Sequence, residues 1–158
     1  MKVRSSTPEY KGFRVSFAAG TLSPLYACSN GGVAPYSNGC FKTNFEVPVS
    51  GDFLELRLPF SSFSDHWNPA TGDQNIKCSD DPSVCPTEKD LSQIRWIEVW
   101  AEGVGGDIHL EIESIRASVR SPGMKSKPTS PYIPLVTFDG EASTSHEFTQ
   151  LNDPVMVS

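Results

Sequence analysis

Ile94-Arg95-Trp96-Ile97-Glu98-Val99-Trp100-Ala101-Glu102-Gly103-Val104-Gly105-Gly106-Asp107-Ile108-His109-Leu110-Glu111-Ile112-Glu113-Ser114-Ile115 decides the reading of this chain. Two apolar, β-prone runs flank a glycine-rich turn. In the second run Ile108, Leu110 and Ile112 alternate with His109, Glu111 and Glu113, the period of two that gives a strand one apolar and one wet face. In the first, Ile94, Trp96 and Trp100 fall on one face and Ile97 and Val99 on the other, as in a strand covered on both sides in the middle of a sheet. Residues 102–107 hold glycines that accept positive φ, so the two runs are expected to pair as an antiparallel hairpin.

The same alternation extends outward. Residues 10–18 set Phe13, Val15 and Phe17 against Arg14 and Ser16, and residues 40–47 set Phe41, Thr43, Phe45 and Val47 against Lys42, Asn44 and Glu46. Residues 52–59 turn Leu54, Leu56 and Leu58 inward until Pro59, which has no N–H for the ladder. Residues 24–28 read as a further short strand before the loop signal Ser29-Asn30-Gly31-Gly32. Over 61–88 the pattern dissolves into a long loop, which in a compact domain is functional or tied down; residues 86–91 can add one helical turn.

Short strands between loops, with Gly 12 and Pro 13 in 158 residues, make the chain all-β. A chain of this length buries roughly 70% of its unfolded surface, enough for one domain with a real core. Residues 1–120 form the domain, 121–134 have the proline- and serine-rich composition of a linker, and 135–158 begin a new strand-bearing piece. A formal charge of -6 argues against nucleic acid as a partner. No apolar run approaches the ~20 residues of a membrane span, so membrane insertion is not expected. The opening Met1-Lys2-Val3-Arg4-Ser5-Ser6 has no apolar h-region behind it, which places any targeting segment upstream of this chain.

Four cysteines fall as two close pairs, Cys28 with Cys40 and Cys78 with Cys85. Of the three possible connectivities the local one is favoured, because each bridge would close one loop and contribute roughly 2–3 kcal/mol. Zinc is the rival, but its ligand pairs want tighter spacing; free buried thiols are the other alternative. Disulfides imply an oxidising compartment.

No nucleophile motif, phosphate loop, dinucleotide fingerprint or metalloprotease helix is present, and nothing calls for a cofactor. His109 alternates outward as a solvated residue. His66, beside Asp65 and Trp67 in the long loop, can line a pocket. Asp73, Asp80 and Asp81 form a weak calcium candidate in the same loop; their spacing matches no EF-hand. Tyr36, Trp67, Trp96 and Trp100 are the aromatics that could stack on a ligand or dock a partner, although a tryptophan on a covered strand reads first as core.

The succession Tyr10-Lys11-Gly12-Phe13-Arg14-Val15, then residues 41–47, then Leu54-Glu55-Leu56-Arg57-Leu58-Pro59-Phe60-Ser61-Ser62-Phe63, then residues 91–100, then Gly106-Asp107-Ile108-His109-Leu110-Glu111-Ile112-Glu113-Ser114-Ile115-Arg116-Ala117 resembles the complex I intermediate-associated protein 30 family. The likeness covers roughly residues 10–118. It implies an antiparallel jelly-roll β-sandwich of the galactose-binding-like type, and an assembly factor for respiratory or photosynthetic membrane complexes. The usual opening third is missing before Tyr10, whereas Leu135-Val136-Thr137-Phe138-Asp139 and Asn152-Asp153-Pro154-Val155-Met156-Val157-Ser158 resemble that opening, with Val157 where the family has glycine. The chain is therefore read as cut from a tandem array, with circular permutation as the rival.

Cysteine pairs fit a thylakoid lumen, an intermembrane space or a secreted protein better than the mitochondrial matrix. Together these features predict a non-catalytic interaction domain that assembles or extends a membrane-bound electron-transfer complex, with protein subunits as partners. A carbohydrate-binding module of a secreted protein is the alternative.

Overall fold

Every residue of Phe13–Ala19 is buried, and the described part of the chain is built around this strand. The computed structural model describes residues 1–19, 39–118 and 132–137. They form β1 (Lys2–Arg4), β2 (Phe13–Ala19), β3 (Cys40–Asn44), β4 (Leu54–Glu55), β5 (Ile94–Ala101), β6 (Glu111–Ser118) and β7 (Tyr132–Thr137). Among the described residues helix is confined to single turns at Phe60–Ser62, Pro82–Val84 and α1 (Glu88–Leu91). The all-β expectation holds, and so does the helical turn: Thr87 and Asp90 form a reciprocal capping box at the start of α1.

Two units are distinguished, Met1–Ile112 and Glu113–Ser158. In the first, β2 is the middle of a three-stranded antiparallel sheet of order β3-β2-β5. β4 pairs antiparallel with β1, Val3 opposite Leu54. In the second unit β6 and β7 pair antiparallel, from Ser114 opposite Thr137 to Ser118 opposite Tyr132. β7 starts at Tyr132, within the stretch read as linker.

Alternation along β2 sends Phe13, Val15, Phe17 and Ala19 into one core, which also takes Val3, Tyr10, Phe41, Phe45, Val47 and Phe63. Leu56 and Leu58 after β4, Ile97 and Val99 of β5, and Leu110 and Ile112 pack against it. The arrangement is sandwich-like, two sheets burying their apolar faces on one another. Phe17 is its hub, with ring centroids 5.2 Å from Phe41, 5.8 Å from Phe60 and 5.2 Å from Phe63. Residues 58–63, which follow β4, supply two of those rings, Phe60 and Phe63.

Three expectations are corrected. β5 and β6 do not pair as a hairpin: β5 pairs with β2, and β6 with β7. The chain is held to the first sheet as far as Glu102, whose N–H donates to the Gly12 carbonyl. It turns away at Gly103, whose φ of 72° favours glycine. β5 is an edge strand among the described residues rather than a central one, the central place being taken by β2. Finally, the register slips between Ala18 and Ala19, Trp96 facing the first and Ile94 the second. That bulge returns Ile94 to the core beside Ile97 and Val99, away from the face of Trp96 and Trp100. Ile108 is 53% exposed, since the strand proper begins only at Glu111.

Candidate functional site

The other face of β2 carries Arg14, Ser16 and Ala18, all buried. Cross-strand register sets Ser16 between Lys42 of β3 and Glu98 of β5, and Arg14 between Asn44 and Trp100. Directly opposed residues share a face, so this side of the sheet gathers two cations, an acid and an indole. Alternation along these strands places Lys42 and Arg14 on a wet face. The structure covers that face with the loop of residues 64–76.

Lys42 is the centre of the group. Its side chain is 0% exposed and its Nζ lies 2.7 Å from Glu102 Oε1. The same ammonium stands 3.8 Å from the ring centre of Trp67 and 4.1 Å from that of Trp100, within cation–π range of both. Trp100 Nε1 donates to Ser16 Oγ at 2.8 Å, and Trp67 Nε1 to the Cys40 carbonyl at 3.4 Å. Burial pushes the Lys42 ammonium below its ordinary value, with Glu102 and Glu98 pulling the other way. Burial likewise raises the Glu98 carboxyl, opposed by hydrogen bonds from Trp96 and Ser16 and by the charge of Lys42. Alongside, Arg14 Nη2 donates to Asp73 at 2.7 Å and its Nη1 to the Lys11 carbonyl at 2.8 Å.

These contacts fix the loop as a folded element. Ser64 and Lys42 exchange backbone hydrogen bonds, and Trp67 forms a bridge with Gln74. Gln74 Nε2 donates to the carbonyls of Lys42 and Ser62, both at 2.7 Å. Gly72 has φ +73° and lies against the Glu102 carboxylate; a side chain there would displace the partner of Lys42. Cys78 and Cys85 form a disulfide closing the next turn of the loop, the pairing expected of them. Cys40 is disulfide-bonded as well, and its expected partner Cys28 lies outside the described residues. A four-cysteine zinc site, and free thiols at Cys40, Cys78 and Cys85, are thereby overturned.

Of the aromatics singled out from the sequence, Trp67 and Trp100 converge on Lys42. Trp67 is 2% exposed, so both indoles are occupied by the chain's own cation. Trp96, 42% exposed, shares their face of the sheet and contacts Glu98. Tyr36 lies outside the described residues. His66 works through its backbone, its N–H donating to Ser64 Oγ and its carbonyl accepting from Asn75; its ring Nδ1 is buried with no partner among the described residues. The calcium candidates do not converge. Asp73 pairs with Arg14, Asp80 accepts from Ser79, and Asp81 caps the turn by accepting from the N–H of Ser83. Among the described residues no group of three or more metal-ligating side chains forms.

Lys42, Arg14, Glu98 and Glu102 escaped the sequence reading, although a signal existed. Trp96, Glu98, Trp100 and Glu102 repeat at a period of two, an aromatic and acidic row that needs cations opposite it. Chemically the group is a clamp: an amine fully buried and committed to Glu102 meets no substrate from solvent. Comparison of the chain with family models, curated proteins and solved structures finds no match.

Proposed function

We propose that the chain is a non-catalytic interaction domain that assembles, or forms an extrinsic subunit of, a membrane-bound electron-transfer complex. It docks through the loop of residues 61–88 and the adjoining sheet face. The observation that carries this reading is the way the loop is held. A loop of this length is normally a cost in conformational entropy, yet here two buried cations, a disulfide and a bridge to β3 fix it in one conformation. Preordered surface reduces the entropy lost on binding, which is what a recognition loop needs. The resemblance to the complex I intermediate-associated protein 30 family supplies the partner class and the finer fold, a jelly-roll of the galactose-binding-like type. The disulfide supports an oxidising compartment, a thylakoid lumen or the secreted route. Among the described residues no helix is long and apolar enough to cross a membrane, in keeping with a protein that attaches to its complex from outside. Native sizing of the protein from gently solubilised membranes, with mass spectrometry of what travels with it, tests the reading.

A second reading, a carbohydrate-binding module, is favoured by a different observation. A cleft of about 340 Å³, lined mostly by residues with polar side chains, opens between β3 and the loop, near the lower end of ligand-site volumes. Among the described residues the aromatic platform expected for sugar stacking is reduced to Trp96, because Trp67 and Trp100 are engaged by Lys42. Absence of backbone amide shifts across a broad glycan panel would remove this reading.

A further inference from the structure

The cleft is lined by Asn44, Ser61, Gln74, Lys77, Cys78 and Ser79, among others, and no acidic side chain lines it. That is unusual placement in a chain of net charge -6: the charge facing this cavity is positive. Lys77 makes no ion pair with any described residue, whereas Lys11, Arg14 and Lys42 are each matched to an acid. Its ammonium is therefore available to an anion from outside. Gln74 is oriented by its surroundings. Both N–H groups of its amide are used, on the carbonyls of Lys42 and Ser62, which leaves Oε1 as a pure acceptor. An acceptor held in place selects a donor, and on a sugar the donors are hydroxyls. Ser61 and the Asn44 amide add groups that both donate and accept, and Ser79, whose hydroxyl donates to Asp80, adds an acceptor. The disulfide at Cys78 anchors the wall that carries Lys77 and Ser79.

From this arrangement we infer that the cleft binds a hexuronate, a sugar residue bearing one carboxylate, whether free or within an acidic polysaccharide. The carboxylate sits on the Lys77 ammonium, a ring hydroxyl donates to Gln74 Oε1, and further hydroxyls bond the serine and asparagine side chains. The inference rests on the carbohydrate-binding reading and sharpens it to an acidic sugar. Recognition is by hydrogen bonds and charge without an aromatic platform, so the affinity depends on the carboxylate and weakens as salt is added.

The test is a titration of the full chain with D-glucuronate, D-glucose and acetate, followed through backbone amide shifts. Glucuronate is expected to shift the amides lining the cleft. Glucose and acetate should each bind about tenfold more weakly, as loss of a charged or a several-fold neutral hydrogen-bond set predicts. Lys77→Gln should bring glucuronate down to the level of glucose, and Asn44→Ala should weaken both sugars. Neither side chain takes part in the core, and an unchanged spectrum of the free variants verifies the fold. Equal binding of glucose and glucuronate would overturn the acidic-sugar inference while leaving the carbohydrate reading standing. Equal binding of acetate and glucuronate would reduce the cleft to a carboxylate site, and silence from all three would remove both.

Discussion

Lys42 carries a full charge into a place without solvent, and the fold must answer for it locally. Two indoles and Glu102 do so, with the amine displaced toward its neutral form by burial. Removing one partner of a buried pair leaves the other uncompensated, whereas replacing both by groups of similar shape is nearly neutral. Lys42→Met, which keeps most of the stem, is expected to lower the unfolding free energy by about 3 kcal/mol, and Lys42→Met with Glu102→Gln to recover most of that loss. Urea titrations of the native chain, Lys42→Met, Glu102→Gln and the double variant check the coupling; additive losses would show that the pair does not act as a unit. Glu98 gives a second residue-scale expectation, and its sign can be worked out. Burial raises its folded pKa above the ordinary glutamate value, so in the window between the two the native state binds the extra proton. Stability therefore falls as pH rises through that window, and the cost of charging Glu98 is present in full above it and absent below the ordinary value. Glu98→Gln is expected to be more stable than the native chain at pH 7, with the difference closing as pH is lowered past the ordinary glutamate range. A difference of the same size at both ends would contradict this. None of these residues was legible as buried from the sequence, because alternation assigns faces to residues but does not say what covers a face. The acids that receive Arg14 and Lys42 lie 59 and 60 positions away.

At the scale of elements the strands were legible and their partners were not. Period-two patterns gave β2, β3 and β5 close to their observed limits, since each has one face on the core. The turn after β5 was read as a hairpin because glycines between two apolar runs suit a tight connection equally well whether the second run pairs or crosses. What decides is that β5 is paired along its length with β2, while Leu110 and Ile112 reach the same core after the chain has turned away at Gly103. Sheets pack about 10 Å apart, a distance that the residues between Glu102 and Leu110 can span. β1 was missed as a three-residue strand in a polar opening, its single core residue Val3 giving no period to read. The loop of residues 61–88 was recognised only as long. Its disulfide was read correctly, and it gives the loop's own prediction. Cys78→Ser with Cys85→Ser should reduce stability by roughly 2–3 kcal/mol through the lost constraint on the unfolded chain, measured by denaturation without reductant. A loss below the error of the titration would mean that Lys42 and Arg14 alone hold the loop.

For the whole molecule, composition and charge pointed to an all-β chain outside the nucleic-acid binders, and the strands agree with the first of these. The division of labour on the two faces of β2 was not legible: an apolar core on one side, a charged and aromatic clamp on the other. That division is what the functional proposal depends on, since the clamp turns a long loop into a surface that a partner can recognise without ordering it first. The most direct measurement is native sizing of the protein from gently solubilised membranes, combined with cross-linking from the loop of residues 61–88. Co-migration with a large redox complex, with cross-links from that loop to the complex's subunits, is the predicted result. Migration as a free small protein, or co-migration with cross-links elsewhere only, would contradict the proposed docking.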